Sequence, residues 1–145
     1  MTATPTRSGS PELLVHLRRA RDHIDQHFAD DLDLDRVARV AGVSKYHLVR
    51  CFEAAYGETP IRYLTRRRIE RAQDLLRSAN LTVTEICMAV GYASLGSFST
   101  RFRRLVGESP AAYRDRWAAR GAAHVPGCFL FVRGVVDLGG TAGGD

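Results

Sequence analysis

An internal repeat constrains the fold of this chain more than any other feature of its sequence. The segment starting at Leu34, LDRVARVAGVSKYHLVRCFEAAYGETPIRYL, resembles the segment starting at Val83, VTEICMAVGYASLGSFSTRFRRLVGESPAAYR. The second copy holds one additional residue. Two copies are too few for a solenoid, which generally needs at least three, so the pattern favours a duplicated supersecondary unit. The matched residues are Gly42 and Gly91, Phe52 and Phe102, Gly57 and Gly107, Glu58 and Glu108, Pro60 and Pro110, and Tyr63 and Tyr113.

Each copy predicts a short helix, a tight glycine turn and a longer helix, which is the helix-turn-helix layout. Asp33 is the expected N-cap of the first copy, and Thr82 with Glu85 forms a capping box in the second. Ser44 and Ser94 are the expected N-caps of the two longer helices. Left-handed C-cap positions are expected at Gly42, Gly57, Gly91 and Gly107.

Apolar residues recur at helical spacing before, within and between the copies, which predicts amphipathic helices. One such helix begins at Pro11, and Thr59 with Pro60 opens a long helix that joins the copies. We expect inward-facing stripes at Leu48, Phe52 and Ala55, at Phe98, Phe102 and Leu105, and at Ile61, Leu64, Ile69, Ala72 and Leu76.

The predicted fold is all-α, with two helix-turn-helix subdomains of homeodomain-like form joined by a long linker helix. The predicted segments are a disordered tail at 1–10, a domain at 11–118 with helix-turn-helix units at 33–57 and 82–107 and the linker helix at 59–78, and a tail of uncertain structure at 119–145. Within that last tail, residues 128–138 can form a short β-hairpin that packs on the domain, engages a partner or stays disordered.

The positive charge is concentrated in the middle of the chain. Residues 36–120 hold sixteen basic and seven acidic side chains, whereas residues 1–35 hold four basic and seven acidic ones. A local basic excess is typical of proteins that bind polyanions, although many enzymes are equally basic. The three cysteines show no CxxC spacing, and no stretch approaches 18 apolar residues. These features favour a cytoplasmic protein without a disulfide framework, a zinc site, a signal peptide or a membrane span.

These motifs resemble the DNA-binding domain of the AraC/XylS family of bacterial transcription regulators. The resemblance covers about residues 14–113 and rests on VGYASLGSFSTRFRRLVGESPAAYR, supported by GVSKYHLVRCF and RRRIERAQDLL. It implies seven helices, with residues 44–56 and 94–106 as recognition helices in adjacent major grooves of double-stranded DNA. Most members add a sensor domain, but only about ten residues precede the first helix here. We therefore expect a nucleoid-associated, stand-alone regulator without a cofactor, bound to an asymmetric site as a monomer and with RNA polymerase as a further partner.

The resemblance and the exposed helix faces give the expected DNA contacts. Arg50 can donate two hydrogen bonds to guanine O6 and N7, the alternative being a phosphate contact or a solvated side chain. Many family members have arginine where this chain has Thr100. We therefore expect the first unit to supply most base specificity and the second to hold the phosphate backbone. The candidates are Lys45, Tyr46, Val49, Arg50, Leu95, Gly96, Ser99, Thr100, Arg103 and Arg104.

Other candidate sites have simpler interpretations. Arg66, Arg67, Arg68 and Arg71 form a basic cluster that either contacts DNA or pairs with Glu70 or Asp74. His16, His23 and His27 share one face of the first helix, but exposed surface histidines are favoured over a metal site because no fourth ligand is evident. No catalytic motif is evident, so we do not expect an enzyme. The alternative function is a protein-interaction module that holds RNA polymerase or another regulator, with DNA contact secondary.

Overall fold

The structure, a computed structural model, describes residues 11–120, and seven helices make up most of this range. This confirms the predicted all-α class. Residues 1–10, and the tail beyond residue 120 with its predicted hairpin, lie outside the described residues. The helices are α1 (Pro11–His27), α2 (Leu34–Ala41), α3 (Lys45–Tyr56), α4 (Pro60–Ser78), α5 (Val83–Ala89), α6 (Leu95–Val106) and α7 (Pro110–Ala119).

The chain divides into two compact units at a point within α4, between Thr65 and Arg66. We call the described residues 11–65 unit 1 and the described residues 66–120 unit 2. Each unit contains one helix-turn-helix, formed by α2 and α3 in unit 1 and by α5 and α6 in unit 2. The internal repeat of the sequence therefore corresponds to one such motif in each unit.

The short polar residues before the helices act as N-caps, as predicted. The carboxylate of Asp33 accepts a hydrogen bond of 2.8 Å from the backbone N–H of Arg36. The hydroxyls of Ser44 and Ser94 accept equivalent bonds of 3.2 and 3.3 Å at the starts of α3 and α6. Because the first N–H groups of a helix have no partner within it, each such cap contributes about 1 kcal/mol.

The predicted capping box at the start of α5 is present. The backbone N–H of Thr82 donates to the Glu85 carboxylate at 2.8 Å, and the backbone N–H of Glu85 donates to the Thr82 hydroxyl at 3.0 Å. The hydrogen bonds from Thr82 hold the pKa of Glu85 below its ordinary value, because they favour the ionised carboxylate.

Glycine ends both long helices of the repeat. Gly57 and Gly107 have φ angles of 80° and 96°, and each donates its N–H at 2.8 Å to the carbonyl four residues earlier, which closes the last turn. A side chain is strained in this left-handed region, so glycine is required at both positions. At the end of α5 the C-cap is Val90, and Gly91 follows it with φ of 97°.

In unit 1 the apolar stripe of α1 packs on α2 and α3. Leu17 and Ile24 of α1 are fully buried with Leu48 and Phe52 of α3. At the edge of this core, the Tyr63 hydroxyl donates a hydrogen bond of 2.8 Å to the Asp25 carboxylate. A residue far along the sequence is thereby held against α1.

In unit 2 the core is built on a series of aromatic contacts. Phe98, Phe102, Tyr113 and Trp117 follow one another with ring centroids 5.8, 5.6 and 6.1 Å apart. Leu75, Leu76 and Ile86 are buried in the same cluster. Aromatic pairs at these separations add to the stabilisation that burial gives, so this series ties α6 to α7.

The end of α4 in unit 2 is capped by a residue distant in sequence. Arg114 of α7 donates to the carbonyls of Leu76 and Ala79 at 3.2 and 3.3 Å. Burial lowers the pKa of Arg114 from its ordinary value. These bonds satisfy carbonyl groups that have no partner within the helix itself.

Two of the residues expected to face inward are exposed. Ile61 and Leu105 are 42% and 52% exposed, so their assignment to the buried stripes was wrong. On α6 the buried row runs through Phe98 and Phe102 to the half-buried Val106, at steps of one helical turn. Leu105 lies beside this row, where helical spacing alone does not separate the edge of a stripe from its centre.

Candidate nucleic-acid interface

The second helix of the motif in unit 1 presents a free outer face. Leu48 and Phe52 turn one side of α3 into the core, and the exposed side chains project from the other side. Tyr46 is 83% exposed although it is a large aromatic residue, and Arg50 lies one turn further along the same side. Val49 between them is half-buried. The predicted contact residues of α3 therefore share one accessible surface.

The two cations of this surface differ in their partners. Lys45 makes an ion pair with Asp35 of α2, with 2.9 Å between Nζ and the carboxylate oxygen. The hydrogen bond to Asp35 raises the pKa of Lys45 above its ordinary value. Arg50 makes no hydrogen bond or ion pair with any residue in the range 11–120. Its guanidinium can therefore donate two hydrogen bonds to a new partner without breaking an existing ion pair.

In unit 2 the outer face of α6 is less aromatic and more basic. Gly96, Thr100, Arg103 and Arg104 are exposed, Leu95 is 44% exposed, and Ser99 is half-buried. Where α3 carries Glu53, the equivalent position of α6, counted from the capping serine, carries Arg103. This reversal of charge makes the α6 face the more attractive of the two for an anion.

A small cleft of about 340 Å³ lies on this face of unit 2. Hydroxyl groups and one guanidinium line it, from Ser99, Thr100, Arg103 and Ser109. The Ser109 hydroxyl also accepts a hydrogen bond from the backbone N–H of Ala112 at the start of α7, at 3.1 Å. A cleft of hydroxyl donors and a cation suits a phosphate oxygen. Ser109 was not among the predicted contact residues, because it lies outside the predicted recognition helix at 94–106.

The basic cluster on α4 is largely engaged within unit 2. The guanidinium groups of Arg66 and Arg67 pair with Glu70 at 2.8 and 3.2 Å, and that of Arg68 lies 5.5 Å from the centre of the Tyr92 ring. Burial lowers the pKa of Arg71. Of the two interpretations of this cluster, intramolecular pairing is therefore confirmed for Arg66 and Arg67.

The three histidines of α1 are half-buried rather than exposed. Nδ1 of His16 lies 2.7 Å from the carbonyl oxygen of Ala41 at the end of α2, and the rings of His23 and His27 lie 4.5 Å apart. Burial, then the neighbouring His27 and Arg36, lower the pKa of His23. Within residues 11–120 no group of three potential metal ligands comes together, and none of the described helices is long and apolar enough to cross a membrane.

Two helix-turn-helix motifs, each with its second helix exposed along one face, define a DNA-binding protein of the helix-turn-helix class. A family model described as a helix-turn-helix domain matches residues 37–116, which is more than half of the chain. The proteins similar to this chain include regulators of the AraC family and DNA-binding domains of that family. The chain belongs to the AraC family of transcription regulators.

The chain is similar to curated regulators of that family. It is 36% identical over 112 residues to the MmsAB operon regulatory protein of Pseudomonas aeruginosa, covering 77% of this chain and 35% of that protein. It is 37% identical over 93 residues to the regulatory protein SoxS of Escherichia coli K12, covering 64% of this chain and 87% of SoxS. The chain thus spans about a third of the first relative and most of the second.

A solved structure gives the same fold. The DNA-binding domain of AdpA, a global transcriptional factor crystallised with a target DNA, aligns with a TM-score of 0.69 at 31% identity. The alignment covers 72% of this chain and 94% of that domain.

Proposed function

We propose that this chain is a sequence-specific transcription regulator that inserts α3 and α6 into adjacent major grooves of one asymmetric DNA site. The observation that carries the proposal is the outer face of α3, where Tyr46 is exposed and Arg50 has no partner within the described residues. A major groove admits an α-helix, and an arginine without a partner is the side chain best suited to guanine O6 and N7. The activity is DNA binding, and no catalysis is assigned to the chain.

The two units divide the work of recognition. Arg50 of α3 supplies base recognition, with Tyr46 beside it against a thymine methyl group or a phosphate. In unit 2 the cleft lined by Ser99, Thr100 and Arg103 holds a backbone phosphate. This division is supported by the charge difference between the faces, because contacts to phosphate position a protein on DNA whereas contacts to base edges specify the sequence. Further contacts are proposed at Lys45, Val49, Leu95, Gly96 and Arg104.

The joining helix has a suitable length for tandem binding by a monomer. The 19 residues of α4 extend about 28 Å at about 1.5 Å per residue. Major grooves on one side of B-DNA recur at about 34 Å, so the length of α4 is of the same order as one helical turn of DNA. Since the two helix faces differ, a monomer would favour an asymmetric site over a palindrome. A nucleoid location in the cytoplasm accompanies this proposal.

Selection from a random pool of duplexes, followed by a salt titration on the selected site, tests the proposal. We expect an enriched motif with two contact regions about one turn apart, and a logarithm of affinity that falls linearly with the logarithm of salt concentration. A motif confined to one contact region would contradict tandem recognition. The absence of any enrichment would contradict sequence-specific binding and favour the protein-interaction module instead.

RNA polymerase is the proposed protein partner once the chain is on DNA. The relatives are named as regulators, and a regulator on a promoter acts through the enzyme that transcribes it. We expect the chain and polymerase to protect a promoter fragment together over a longer region than either alone. Protection that is the sum of two independent footprints, with no gain in polymerase occupancy, would contradict a direct contact.

A further inference from the structure

The first turn of α6 presents an apolar side chain to solvent. Leu95 is 44% exposed, and among the described residues it does not belong to the buried cluster of unit 2 or to the half-buried residues packed against it. Met88 and Leu105 of unit 2 are also exposed, but Met88 lies on α5 and Leu105 lies near the far end of α6. Leu95 is therefore the exposed apolar residue at the place where the second helix of a helix-turn-helix contacts base edges.

The matched residues of unit 1 are charged. Counted from the capping serines, Leu95 corresponds to Lys45, which forms an ion pair with Asp35 of α2. Counted along the repeat, Asp35 corresponds to Thr84 of α5. Unit 2 thus has a threonine and a leucine where unit 1 has an ion pair. The exposed leucine is a property of this sequence, and the shared fold does not require it.

The residue next to Leu95 leaves the surface of α6 bare. Gly96 lies within the helix, and its φ is outside the left-handed region that favours glycine. Among the described residues, an added Cβ would meet only the Ser94 hydroxyl, at the ordinary van der Waals distance of 3.7 Å. Alanine would fit here and favours a helix more than glycine does. Since neither the backbone nor the packing of unit 2 requires glycine, the bare surface points to close approach by another molecule.

The charges of α6 favour DNA as that molecule. The helix contains three arginines and no acidic residue. Gly96 also precedes Ser99, Thr100 and Arg103 by three, four and seven residues, so it lies on the same side of the helix as the cleft that they line. This surface attracts a polyanion. Among the groups that bases present in the major groove, the 5-methyl group of thymine is the apolar one.

We propose that Leu95 recognises the 5-methyl group of one thymine in the major groove that α6 occupies, and that Gly96 allows the close approach this contact needs. The inference rests on the proposed function, because it takes the insertion of α6 into a groove as given. The leucine side chain has no donor or acceptor, so this methyl group is what it can recognise. Against another base it would cover polar groups without offering them a partner. Unit 2 therefore adds a preference for thymine at one position to its contacts with phosphate.

Deoxyuridine in place of thymine removes the methyl group and keeps every hydrogen-bonding group of the base. The selected duplex is prepared with each thymine replaced singly, and binding of the full chain is measured by fluorescence anisotropy. Burying one methyl group corresponds to about a fourfold change in affinity, so we expect one replacement to weaken binding of the unmodified chain by that factor. The same replacement should not affect binding of Leu95→Ala.

Leu105→Ala is the matched control, because it removes another exposed leucine of the same helix. This variant should keep the full sensitivity to deoxyuridine. Changing the sensitive T·A pair to C·G should weaken binding of the unmodified chain, and 5-methylcytosine at that position should restore part of the loss.

Two results would overturn the proposal. One is that no deoxyuridine replacement weakens binding of the unmodified chain. The other is that every sensitive thymine remains equally sensitive in Leu95→Ala. The scan begins from a duplex that the chain has already selected, so either result leaves sequence-specific binding intact. Failure to select any duplex would instead contradict the proposed function, and the two failures are therefore distinguishable.

A second variant tests the close approach. Gly96→Ala should raise the midpoint of urea unfolding, because alanine favours the helix more than glycine does. The same variant should bind both the selected duplex and random duplexes more weakly, because the added methyl group lies between α6 and the DNA. Unchanged affinity, or a lowered unfolding midpoint, would overturn the role given to Gly96.

Discussion

Replacing Arg50 and Arg103 separately by alanine should produce two different kinds of loss. Arg50 lies without a partner on the face of α3, and Arg103 lines the cleft of hydroxyl groups on α6. If the first contacts a base and the second a phosphate, only the first carries information about sequence. The two variants therefore separate recognition from attachment within one protein.

The expected magnitudes follow from the number of contacts each side chain can make. A bidentate arginine–guanine contact is worth about 1–3 kcal/mol of discrimination, so Arg50→Ala should lower the ratio of specific to non-specific affinity by about 5- to 160-fold. One phosphate contact changes the salt slope by about 0.9. Arg103→Ala should flatten the slope by that amount and should weaken specific and random duplexes by the same factor.

Fluorescence anisotropy with the selected duplex and a scrambled duplex, between about 50 and 200 mM salt, measures both quantities. Over this fourfold range one phosphate contact accounts for about a 3.5-fold change in affinity, which is resolvable. Arg19→Ala on α1 and Arg101→Ala on α6 are matched controls, because both remove an exposed arginine that is not among the proposed contacts. Equal losses of specificity in the Arg50 and Arg103 variants would refute the division between base and backbone contacts.

Three further outcomes are expected. Asp35→Asn should free Lys45 from its ion pair. In the same anisotropy assay, DNA affinity should then rise at low salt and the salt slope should steepen by up to about 0.9. Unchanged binding would show that Lys45 does not reach DNA. Arg114→Ala should lower the free energy of unfolding by about 1–2 kcal/mol in urea titrations, because two carbonyls at the end of α4 lose their donor, whereas Arg101→Ala should change it little. The pKa of His23 is below its ordinary value of about 6.5, so the unfolded chain binds more protons at this residue than the folded chain does, and folding loses stability as the pH falls. The melting temperature should therefore fall less steeply from pH 7 to pH 5 in His23→Gln than in the unmodified chain. Parallel melting profiles would contradict this account.

The elements that depend on neighbouring residues were predictable from the sequence. The N-caps at Ser44 and Ser94, the capping box at Thr82 and the glycine ends of α3 and α6 are all present. A capping side chain reaches only two or three residues along the chain, so its signal lies within one short window. The same locality allowed the two copies to be aligned, whereas the count of seven helices was implied by the resemblance to the AraC/XylS family.

Contacts between residues that are far apart in the sequence could not be predicted from these local signals. Nothing in the local pattern marks Arg114 as the cap of α4 or Asp25 as the partner of Tyr63, because these contacts depend on how helices pack. The exposure of Leu105 has the same cause, since helical spacing defines a stripe but a third helix decides which of its edges is covered. One signal of such contacts was present in the repeat, because both copies have tyrosine at the matched positions 63 and 113.

Because α3 and α6 have the same length and the same kinds of ends, each exposed position of one helix corresponds to a position of the other. Both helices have 12 residues, both begin after a serine cap and both end at a left-handed glycine, so a residue counted from the cap occupies the same turn in either helix. An exposed residue such as Thr100 can therefore be replaced by the residue at the corresponding position of α3, here Arg50, without disturbing the buried phenylalanines. A chain built in this way is a natural starting point for engineering new target sequences one helix at a time.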